Sequence, residues 1–269
     1  MYTDNNLTAW IDLSTYCNAG CPQCHRTADD GCGKVEWLPL TQWSFEDFRK
    51  IFPPEELIRY RNFDICGTWG DPGMNKDLVE ICSYILLADA PAALRNDPRF
   101  RNHHHTTITL HTNGSMRDED FWWKLGHKCG KRLQIEFTLD GTTQEMHSMY
   151  RRKTDLMKTL EHMEAAAEGG ATVSTFTVVF KHNQDHIQDI MDLGREFGAT
   201  GHVIVPSNRF HFDKKYPFVS ETGESLVLEE TTMDVHDPIF YDKVPIRNTE
   251  LKKKVSQLSD ASGQKKTSS

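Results

Sequence analysis

Long apolar segments are absent from this sequence. No stretch approaches the roughly 18 consecutive apolar residues that a membrane-spanning helix requires. Residues 1–6 also lack the positive charge and the following apolar core that begin a secretory signal peptide. From these absences we expect a cytoplasmic protein without a membrane partner.

Positive charge is also scarce. The 31 Lys and Arg residues are outnumbered by 39 Asp and Glu residues, which gives a formal net charge of −8. A protein that binds the nucleic-acid backbone needs clustered Lys and Arg side chains to displace counterions. We therefore expect no nucleic-acid partner.

Cysteines are too few, and odd in number, for the disulfide framework of a secreted protein. Three of the seven fall within residues 17–24, a grouping that indicates reduced thiols and a metal. Cys66, Cys82 and Cys129 are scattered, and we predict that each is a small buried apolar residue. Cys32 lies in a glycine-rich loop close to the group and is a candidate spare thiol.

The grouped cysteines form a C-x3-C-x2-C motif directly after an apolar run at residues 9–13 that predicts a strand. Its members are Cys17, Cys21 and Cys24. Soft thiolates suit an iron–sulfur cluster, and three ligands on a four-iron cluster leave one iron open to an outside molecule. A closed structural zinc site, completed by His25 or Cys32, is the alternative. The cysteines alone favour the cluster but leave both possibilities open.

Segments with the apolar pattern of strands alternate with segments that have the pattern of helices. Strands are predicted at about residues 8–14, 62–67, 106–112, 133–139, 172–180 and 202–205. Helices are predicted after the N-cap residue Ser44, after Asn75, over 118–126, over 154–168 and after Asn183. The alternation shows no hairpin, so it predicts parallel strands joined by helical crossovers in an α/β fold. Periodicity alone does not separate a partial barrel from a doubly wound open sheet.

Polar residues alternate with apolar ones in the strand predicted at 133–139. The apolar set must face the covering helices: Leu133, Ile135, Phe137 and Leu139. The polar set therefore faces the interior: Gln134, Glu136, Thr138 and Asp140. The same alternation turns a further set inward: Asp12, Ser14, Thr107, Thr109, His111 and Asn113. Buried polar groups cost free energy unless they are satisfied, so this concentration at strand ends indicates a ligand or ordered water.

Three further motifs follow the cysteine triad at the ends of successive predicted strands. They are Gly67-Thr68-Trp69-Gly70-Asp71-Pro72, Thr112-Asn113-Gly114 and Thr138-Leu139-Asp140-Gly141. In order and spacing the four motifs resemble those of the radical S-adenosylmethionine (radical SAM) superfamily, over about residues 7–206. The resemblance implies a laterally open partial (β/α)6 barrel, related to the TIM barrel. Ligands of such folds bind beyond the carboxyl ends of the strands, where all four motifs lie.

The resemblance also implies roles for individual residues. Cys17, Cys21 and Cys24 would hold a four-iron four-sulfur cluster, and the methionine moiety of S-adenosylmethionine would chelate the fourth iron. The cofactor-binding residues that the family motifs imply are Gly70, Asp71, Asn113, Thr138, Asp140 and Arg151. No catalytic residue follows from the motifs.

Within those roles, the segment containing Gly70 and Asp71 resembles the family's Gly-Gly-Glu-Pro segment, which meets the cofactor ammonium. Thr138 and Asp140 match a ribose-contacting strand end, and Arg151 matches an arginine that approaches the cofactor carboxylate.

This sequence departs from the commonest family pattern at two motifs. Gln23 replaces the aromatic residue that precedes the third cysteine, which argues against adenine stacking at this position. Trp69 replaces the first glycine and Asp71 the glutamate of the Gly-Gly-Glu-Pro segment. Because Asp is one methylene shorter than Glu, we expect the contact with the cofactor to pass through backbone or water.

The resemblance implies a reaction in which the reduced cluster cleaves S-adenosylmethionine to a 5′-deoxyadenosyl radical that abstracts hydrogen from a substrate. A peptide or protein substrate is favoured because the barrel is open at its side, and a nucleotide or other small metabolite is the alternative. The family also implies an electron donor such as flavodoxin or ferredoxin. A non-catalytic module that binds zinc or an iron–sulfur cluster is the competing interpretation, and iron and sulfide analysis would separate the two.

The pattern divides the chain into a barrel at 1–206, an extension at 207–262 that packs on it, and a disordered tail at 263–269. The extension is predicted to be irregular, with one amphipathic helix near 248–259. No cysteine follows Cys129, so the chain either lacks the extension for additional clusters that many peptide-modifying relatives carry or has been truncated. Three consecutive histidines at 103–105 are interpreted as part of a solvated insertion.

Overall fold

Six parallel strands form one sheet in the computed structural model, which describes residues 7–28, 33–87, 98, 105–210, 213–220 and 222–234. The strands are β1 (Leu7–Asp12), β2 (Tyr60–Cys66), β3 (Thr107–Thr112), β4 (Leu133–Thr138), β5 (Thr172–Val179) and β6 (Gly201–Pro206). Each strand pairs with the next along the chain, and β1 and β6 lie at the two edges. The sheet is therefore open, and the predicted α/β fold is confirmed.

Helices connect the strands and pack on the outer face of the sheet. They are α1 (Phe45–Ile51), α2 (Pro54–Leu57), α3 (Leu78–Ile85), α4 (Glu119–Cys129), α5 (Gln144–Ser148), α6 (Leu156–Gly169) and α7 (Ile187–Glu196). None of the helices in the described ranges is long and apolar enough to cross a bilayer.

One hydrophobic core joins these helices to the sheet. The predicted apolar set of β4, with Phe137 among its members, is fully buried in that core. Trp122 of α4 is also fully buried and lies 5.1 Å from the Phe137 ring, measured between centroids. Truncating a buried aromatic of this size to Ala costs about 3–5 kcal/mol. The apolar residues of the alternating pattern thus pack the sheet against its helices, and the polar residues of the same pattern lie on the inner face.

Side-chain caps set the beginnings of three helices, and the cap at Ser44 is the one that the sequence predicts. Ser44, Asp118 and Asp155 accept hydrogen bonds from backbone amides in the first turns of α1, α4 and α6. Asn75 and Asn183, which were predicted as caps, bind elsewhere. The Asn75 amide donates to the carbonyl oxygens of Leu13 and Trp43, and α3 begins only at Leu78.

Asn183 is fully buried, and its amide donates to the carbonyl oxygens of Asp140 and Val178. It therefore ties the loop after β4 to the end of β5 instead of capping a helix with its side chain.

An antiparallel hairpin follows β6, where an irregular segment was predicted. Its strands are β7 (Lys215–Val219) and β8 (Ser225–Glu229). Pro217 lies within β7 and lacks a backbone N–H, which weakened the strand pattern in the sequence. The Tyr216 hydroxyl donates to the Pro22 carbonyl at 3.0 Å, and Phe218 packs in a small core with Cys21. The hairpin thus contacts the cysteine loop.

Several predictions fall outside the described residues. These are the spare thiol Cys32, the histidines at 103 and 104, the helix near 248–259 and the tail at 263–269. Of the scattered cysteines, Cys82 and Cys129 are buried as predicted. Cys66 is only half-buried, because it lies on the inner face of β2.

Candidate cofactor site

The carboxyl ends of the strands surround a cavity of about 140 Å³. Eight of the nine residues predicted from the motifs line it: Cys17, Cys21, Cys24, Gly70, Asp71, Asn113, Thr138 and Arg151. The ninth, Asp140, is fully buried behind the wall. The structure thus brings together three thiols from the loop after β1 and polar groups from the ends of β2, β3 and β4.

The thiols of Cys17 and Cys21 are held among hydrogen-bond donors. The Ala19 amide donates to Cys17 Sγ at 3.4 Å, and Asn113 Nδ2 lies 3.8 Å from the same sulfur. Arg151 Nη1 lies 3.9 Å from Cys21 Sγ. Burial raises the pKa of both thiols, that of Cys21 to about 11, and nearby Asp71 raises that of Cys17 further. A bound cation reverses this balance, because it stabilises the thiolate directly.

One feature of the cavity fits a bound molecule with hydroxyl or amine groups, and a second brings the loops around it together. The Thr138 hydroxyl oxygen is buried and has no hydrogen-bond partner among the described residues. A ligand could supply the missing partner, since buried polar groups are normally hydrogen-bonded. At Gly70, a Cβ would lie 2.1 Å from the Ser14 carbonyl oxygen, so only glycine allows the loops after β1 and β2 to approach this closely.

The Asp71 carboxylate is directed into the protein. Oδ1 accepts hydrogen bonds from the Gly73 amide at 2.9 Å and from the Thr112 hydroxyl at 2.8 Å. Oδ2 accepts from the backbone and side-chain amides of Asn113, at 2.8 and 2.7 Å. Burial raises the pKa of Asp71 even though these bonds oppose the rise. The carboxylate therefore joins the loop after β2 to the loop after β3.

The Asn113 side chain extends this connection to the cysteine loop. Its Nδ2 atom also donates to Asn18 Oδ1 at 3.0 Å, and its Oδ1 accepts from the Ser115 amide at 3.1 Å. Asn113 and Asp71 thus position the loops around the cavity through bonds within the protein.

Asp140 forms a buried ion pair with Arg151. Its Oδ2 atom accepts a hydrogen bond from Arg151 Nε, and its Oδ1 accepts from the Val178 amide at 2.6 Å. Burial raises the pKa of Asp140 despite the attraction of Arg151. The pair orients the guanidinium so that Nη1 approaches Cys21 while the carboxylate stays out of the cavity.

Gln23 is turned away from the cavity. Its side-chain oxygen accepts a hydrogen bond from the Ser207 hydroxyl at 2.7 Å, and its backbone oxygen accepts from Arg209. Gln23 thus attaches the cysteine loop to the segment after β6.

His111 is a cavity residue to which sequence reasoning gave an inward direction but no role. Its Nε2 lies 3.0 Å from Asp64 Oδ1, and its Nδ1 lies 3.0 Å from Glu136 Oε2. Burial opposes the charged imidazolium, but attraction to the two carboxylates outweighs it and raises the pKa of His111 to about 9. His111 pairs in register with Glu136 across β3 and β4, while Asp64 comes from β2. Alternating polar residues in neighbouring strands are the signal that could have found this triad.

Comparison with known proteins identifies the family. Residues 11–194, which are more than half of the chain, match the model of the Radical SAM superfamily. The chain belongs to the radical SAM superfamily. Radical SAM enzymes use a four-iron four-sulfur cluster and S-adenosylmethionine, the two cofactors that the motifs imply. The family is one of enzymes, so the chain belongs to the radical SAM class of enzymes.

Two curated radical SAM relatives are similar over most of this chain. The mycofactocin maturase MftC of Mycobacterium ulcerans is 24% identical over 203 residues, which are 74% of this chain and 47% of the relative. The AdoMet-dependent heme synthase of Methanosarcina barkeri is 24% identical over 207 residues, which are 76% of this chain and 52% of the relative. The chain spans about half the length of these curated relatives.

Solved structures of radical SAM proteins share the fold. Streptococcus suis SuiB bound to the precursor peptide SuiA matches with a TM-score of 0.54 and 14% identity, over 75% of this chain and 39% of that one. The anSMEcpe structure with bound AdoMet matches with a TM-score of 0.55 and 16% identity, over 80% of this chain and 52% of that one. At these identities the likeness establishes the partial barrel and nothing further.

Proposed function

We propose that this chain carries the catalytic core of a radical SAM enzyme that abstracts hydrogen from a peptide or protein substrate. The observation that carries the proposal is that three thiols line the same cavity as the Thr138 hydroxyl, which has no hydrogen-bond partner among the described residues. When bound, the cluster and S-adenosylmethionine supply the one-electron cleavage and the 5′-deoxyadenosyl radical.

The proposed site contains residues that would bind the cofactors and residues that would hold those binding residues in position. Cys17, Cys21 and Cys24 would hold the cluster as thiolates. Gly70 would offer its backbone, Thr138 its hydroxyl and Arg151 its guanidinium to the cofactor, which is the set of groups that lines the cavity. These three residues supply, respectively, a close backbone approach, an unused hydrogen-bonding group and a positive charge.

Asp71, Asn113 and Asp140 are proposed to act on the cofactor indirectly. Their side chains already make hydrogen bonds within the protein, to Thr112, Asn18 and Arg151 respectively. They would hold the loops and the guanidinium in the geometry that the cofactor requires.

The first test of this proposal is the metal itself. Anaerobically reconstituted protein should contain about four irons and matching sulfide per chain, with broad absorbance that Cys17→Ala, Cys21→Ala or Cys24→Ala removes. Cys129→Ala is the matched control, because Cys129 is a buried cysteine on α4 that does not line the cavity. If the protein binds zinc instead of iron, or keeps its iron after all three substitutions, the proposed cluster site is wrong.

A peptide or protein is the proposed substrate class. The open sheet supports it, and so do the names of relatives: SuiB is described with a precursor peptide, and MftC is named a maturase. A small metabolite is the second candidate, because another relative at the same identity is named a heme synthase. Flavodoxin or ferredoxin is the proposed class of electron donor.

Substrate class can be tested without knowing the substrate. An extract of the native host is divided by ultrafiltration into a peptide fraction and a small-metabolite fraction, and each is added to the reconstituted protein with S-adenosylmethionine. We expect the peptide fraction to stimulate production of 5′-deoxyadenosine and protease treatment to remove the stimulation. Stimulation by the metabolite fraction alone would select the second candidate.

A further inference from the structure

Three basic side chains line the cavity, those of Arg26, His111 and Arg151. Arg26 Nε donates to the Thr15 carbonyl at 3.1 Å, and the two ring nitrogens of His111 each lie 3.0 Å from a carboxylate oxygen. Arg151 is the one of the three that donates to a thiol in the described part of the chain, with its Nη1 atom 3.9 Å from Cys21 Sγ. A positive charge of the protein is thus directed at one of the three cysteine sulfurs.

The guanidinium of Arg151 is held on three sides. Its Nε atom donates to the Asp140 carboxylate, and the group lies over the ring of Tyr150, 4.7 Å from the ring centroid. The third neighbour is the Cys21 sulfur. Asp140 and Tyr150 are both buried, and the Arg151 side chain is only 12% exposed. The charge therefore has a fixed position and little screening by solvent.

The backbone attaches the turn that carries Arg151 to the cysteine loop. The Gly20 amide donates to the Arg152 carbonyl at 3.0 Å, and Gly20 directly precedes Cys21. The Thr154 hydroxyl donates to the Arg151 carbonyl at 2.6 Å, which closes the turn on its other side. Because both segments are joined next to the contact between Nη1 and the sulfur, the guanidinium is preorganised beside Cys21.

The donors to Cys17 and to Cys21 differ in charge. Cys17 Sγ is approached by two neutral donors, the Ala19 amide at 3.4 Å and Asn113 Nδ2 at 3.8 Å. Cys21 Sγ is approached by the charged guanidinium of Arg151. A hydrogen bond with a charged donor is roughly twice as strong as a neutral one. Cys21 is therefore the ligand through which a charge of the protein would act on a bound cluster.

We propose that Arg151 raises the reduction potential of the cluster through its charged hydrogen bond to Cys21. Reduction adds one electron from an external donor to the cluster and transfers no proton or group. The added negative charge is costly in a buried site, and a fixed guanidinium beside a ligand sulfur offsets part of that cost. This inference rests on the proposed function, because it requires a cluster on the three cysteines, and it is separate from the contact proposed between Arg151 and S-adenosylmethionine.

A redox titration of the reconstituted full chain tests this role. The protein is titrated anaerobically with dithionite without S-adenosylmethionine, so that a lost cofactor contact cannot contribute, and the reduced cluster is measured by electron paramagnetic resonance. In Arg151→Gln the equilibrium constant for reduction by a given donor should fall about tenfold, which for one electron is a potential lower by about 59 mV. Loosening of the cysteine loop would shift the potential the other way, because water stabilises the added negative charge.

Two further variants separate the charge of Arg151 from its packing. Arg151→Lys keeps the positive charge, so its potential should lie closer to that of the unmodified protein than the potential of Arg151→Gln does. Arg59→Gln is the matched control, because it makes the same substitution and also breaks an ion pair, the one with Glu56 at 2.9 Å. Arg59 directly precedes β2, at the end of the strand opposite the cavity. We expect its potential to equal that of the unmodified protein.

Arg151→Gln leaves Asp140 without its buried partner, so a second variant guards against loss of the cluster. Should Arg151→Gln not retain iron, the double variant Arg151→Gln/Asp140→Asn decides, because it removes both charges and should lower the potential by a smaller amount. The inference is refuted if the deciding variant has an unchanged or higher potential, if neither variant retains iron, if Arg151→Lys shifts the potential as far as Arg151→Gln, or if Arg59→Gln shifts it equally. An unmodified protein that assembles no reducible four-iron cluster would instead refute the proposed function.

Discussion

The imidazole of His111 separates two buried carboxylates on the inner face of the sheet, and its removal should destabilise the protein in a pH-dependent manner. Its two ring nitrogens lie 3.0 Å from oxygens of Asp64 and Glu136, each of which is 8% exposed. His111→Gln replaces the positive charge with a neutral amide. Asp64 and Glu136 would then face each other without a compensating cation, which is costly at low exposure.

The size and sign of the effect follow from the pKa. A rise from the ordinary value of 6.5 to about 9 in the folded state corresponds to about 3 kcal/mol. The His111 side chain is 33% exposed, so solvent screening reduces this to about 2 kcal/mol. Because the folded-state pKa is raised, the stabilisation is complete below about pH 6.5 and is lost as the pH rises to about 9.

Urea unfolding of the reconstituted protein under anaerobic conditions measures this prediction. The free energy of unfolding of the unmodified protein should exceed that of His111→Gln by about 2 kcal/mol near pH 6, and the difference should fall towards zero near pH 9.5. Groups that titrate identically in both proteins cancel in this difference. His127→Gln, which makes the same substitution at an exposed position on α4, is the matched control. A difference for His111→Gln that is constant with pH would refute the assignment of the charge to this imidazole.

Three further predictions concern the cavity, with S-adenosylmethionine binding measured by anaerobic calorimetry. Thr138→Val should lower affinity roughly five- to a hundredfold and spare the iron, since a hydrogen bond to a buried ligand is worth about 1–3 kcal/mol. Asp140→Ala should lower affinity and thermal stability together, because it leaves Arg151 as a buried cation without its partner. Gly70→Ala should prevent cofactor binding, because the added methyl group would lie 2.1 Å from the Ser14 carbonyl oxygen.

Glu168→Ala is the common control for these three variants, because Glu168 is exposed near the end of α6. Unchanged affinity in Thr138→Val would remove this hydroxyl from the cofactor site. A soluble Asp140→Ala protein with unchanged affinity and melting temperature would show that the ion pair with Arg151 has no part in binding. Normal binding by Gly70→Ala would mean that the two loops can separate without loss.

The order of strands and helices could be predicted because the apolar periodicity is local. The strand bounds agree to within about two residues, and the choice of a partial barrel depended on the order of the motifs. The predicted caps Asn75 and Asn183 differ for a tertiary reason. Both side chains find backbone carbonyls that are distant in the sequence, and a local cap signal contains no information about such partners.

The positions of the site residues could be predicted, but the directions of their side chains could not. The motifs place Asp71 and Asp140 at strand ends, whereas their partners Thr112 and Arg151 come from other segments. The role of Asp64 was not predicted, although the alternation at 62–67 places it opposite Phe63 and Ile65, on the inner face. Its contact with His111 depends on the register between β2 and β3, about which the sequence of β2 contains no information.

The contact of the hairpin with the cysteine loop has a consequence for the order of assembly. Tyr216 binds the Pro22 carbonyl, and Phe218 packs with Cys21, so one wall of the loop comes from residues synthesised long after the thiols. A chain still on the ribosome would expose its cysteines before β7 and β8 exist to enclose them, since domains fold as their residues emerge. The cysteine loop is complete only once β8 has been made. Insertion of the cluster is therefore expected to follow synthesis of the chain through Glu229 rather than accompany it.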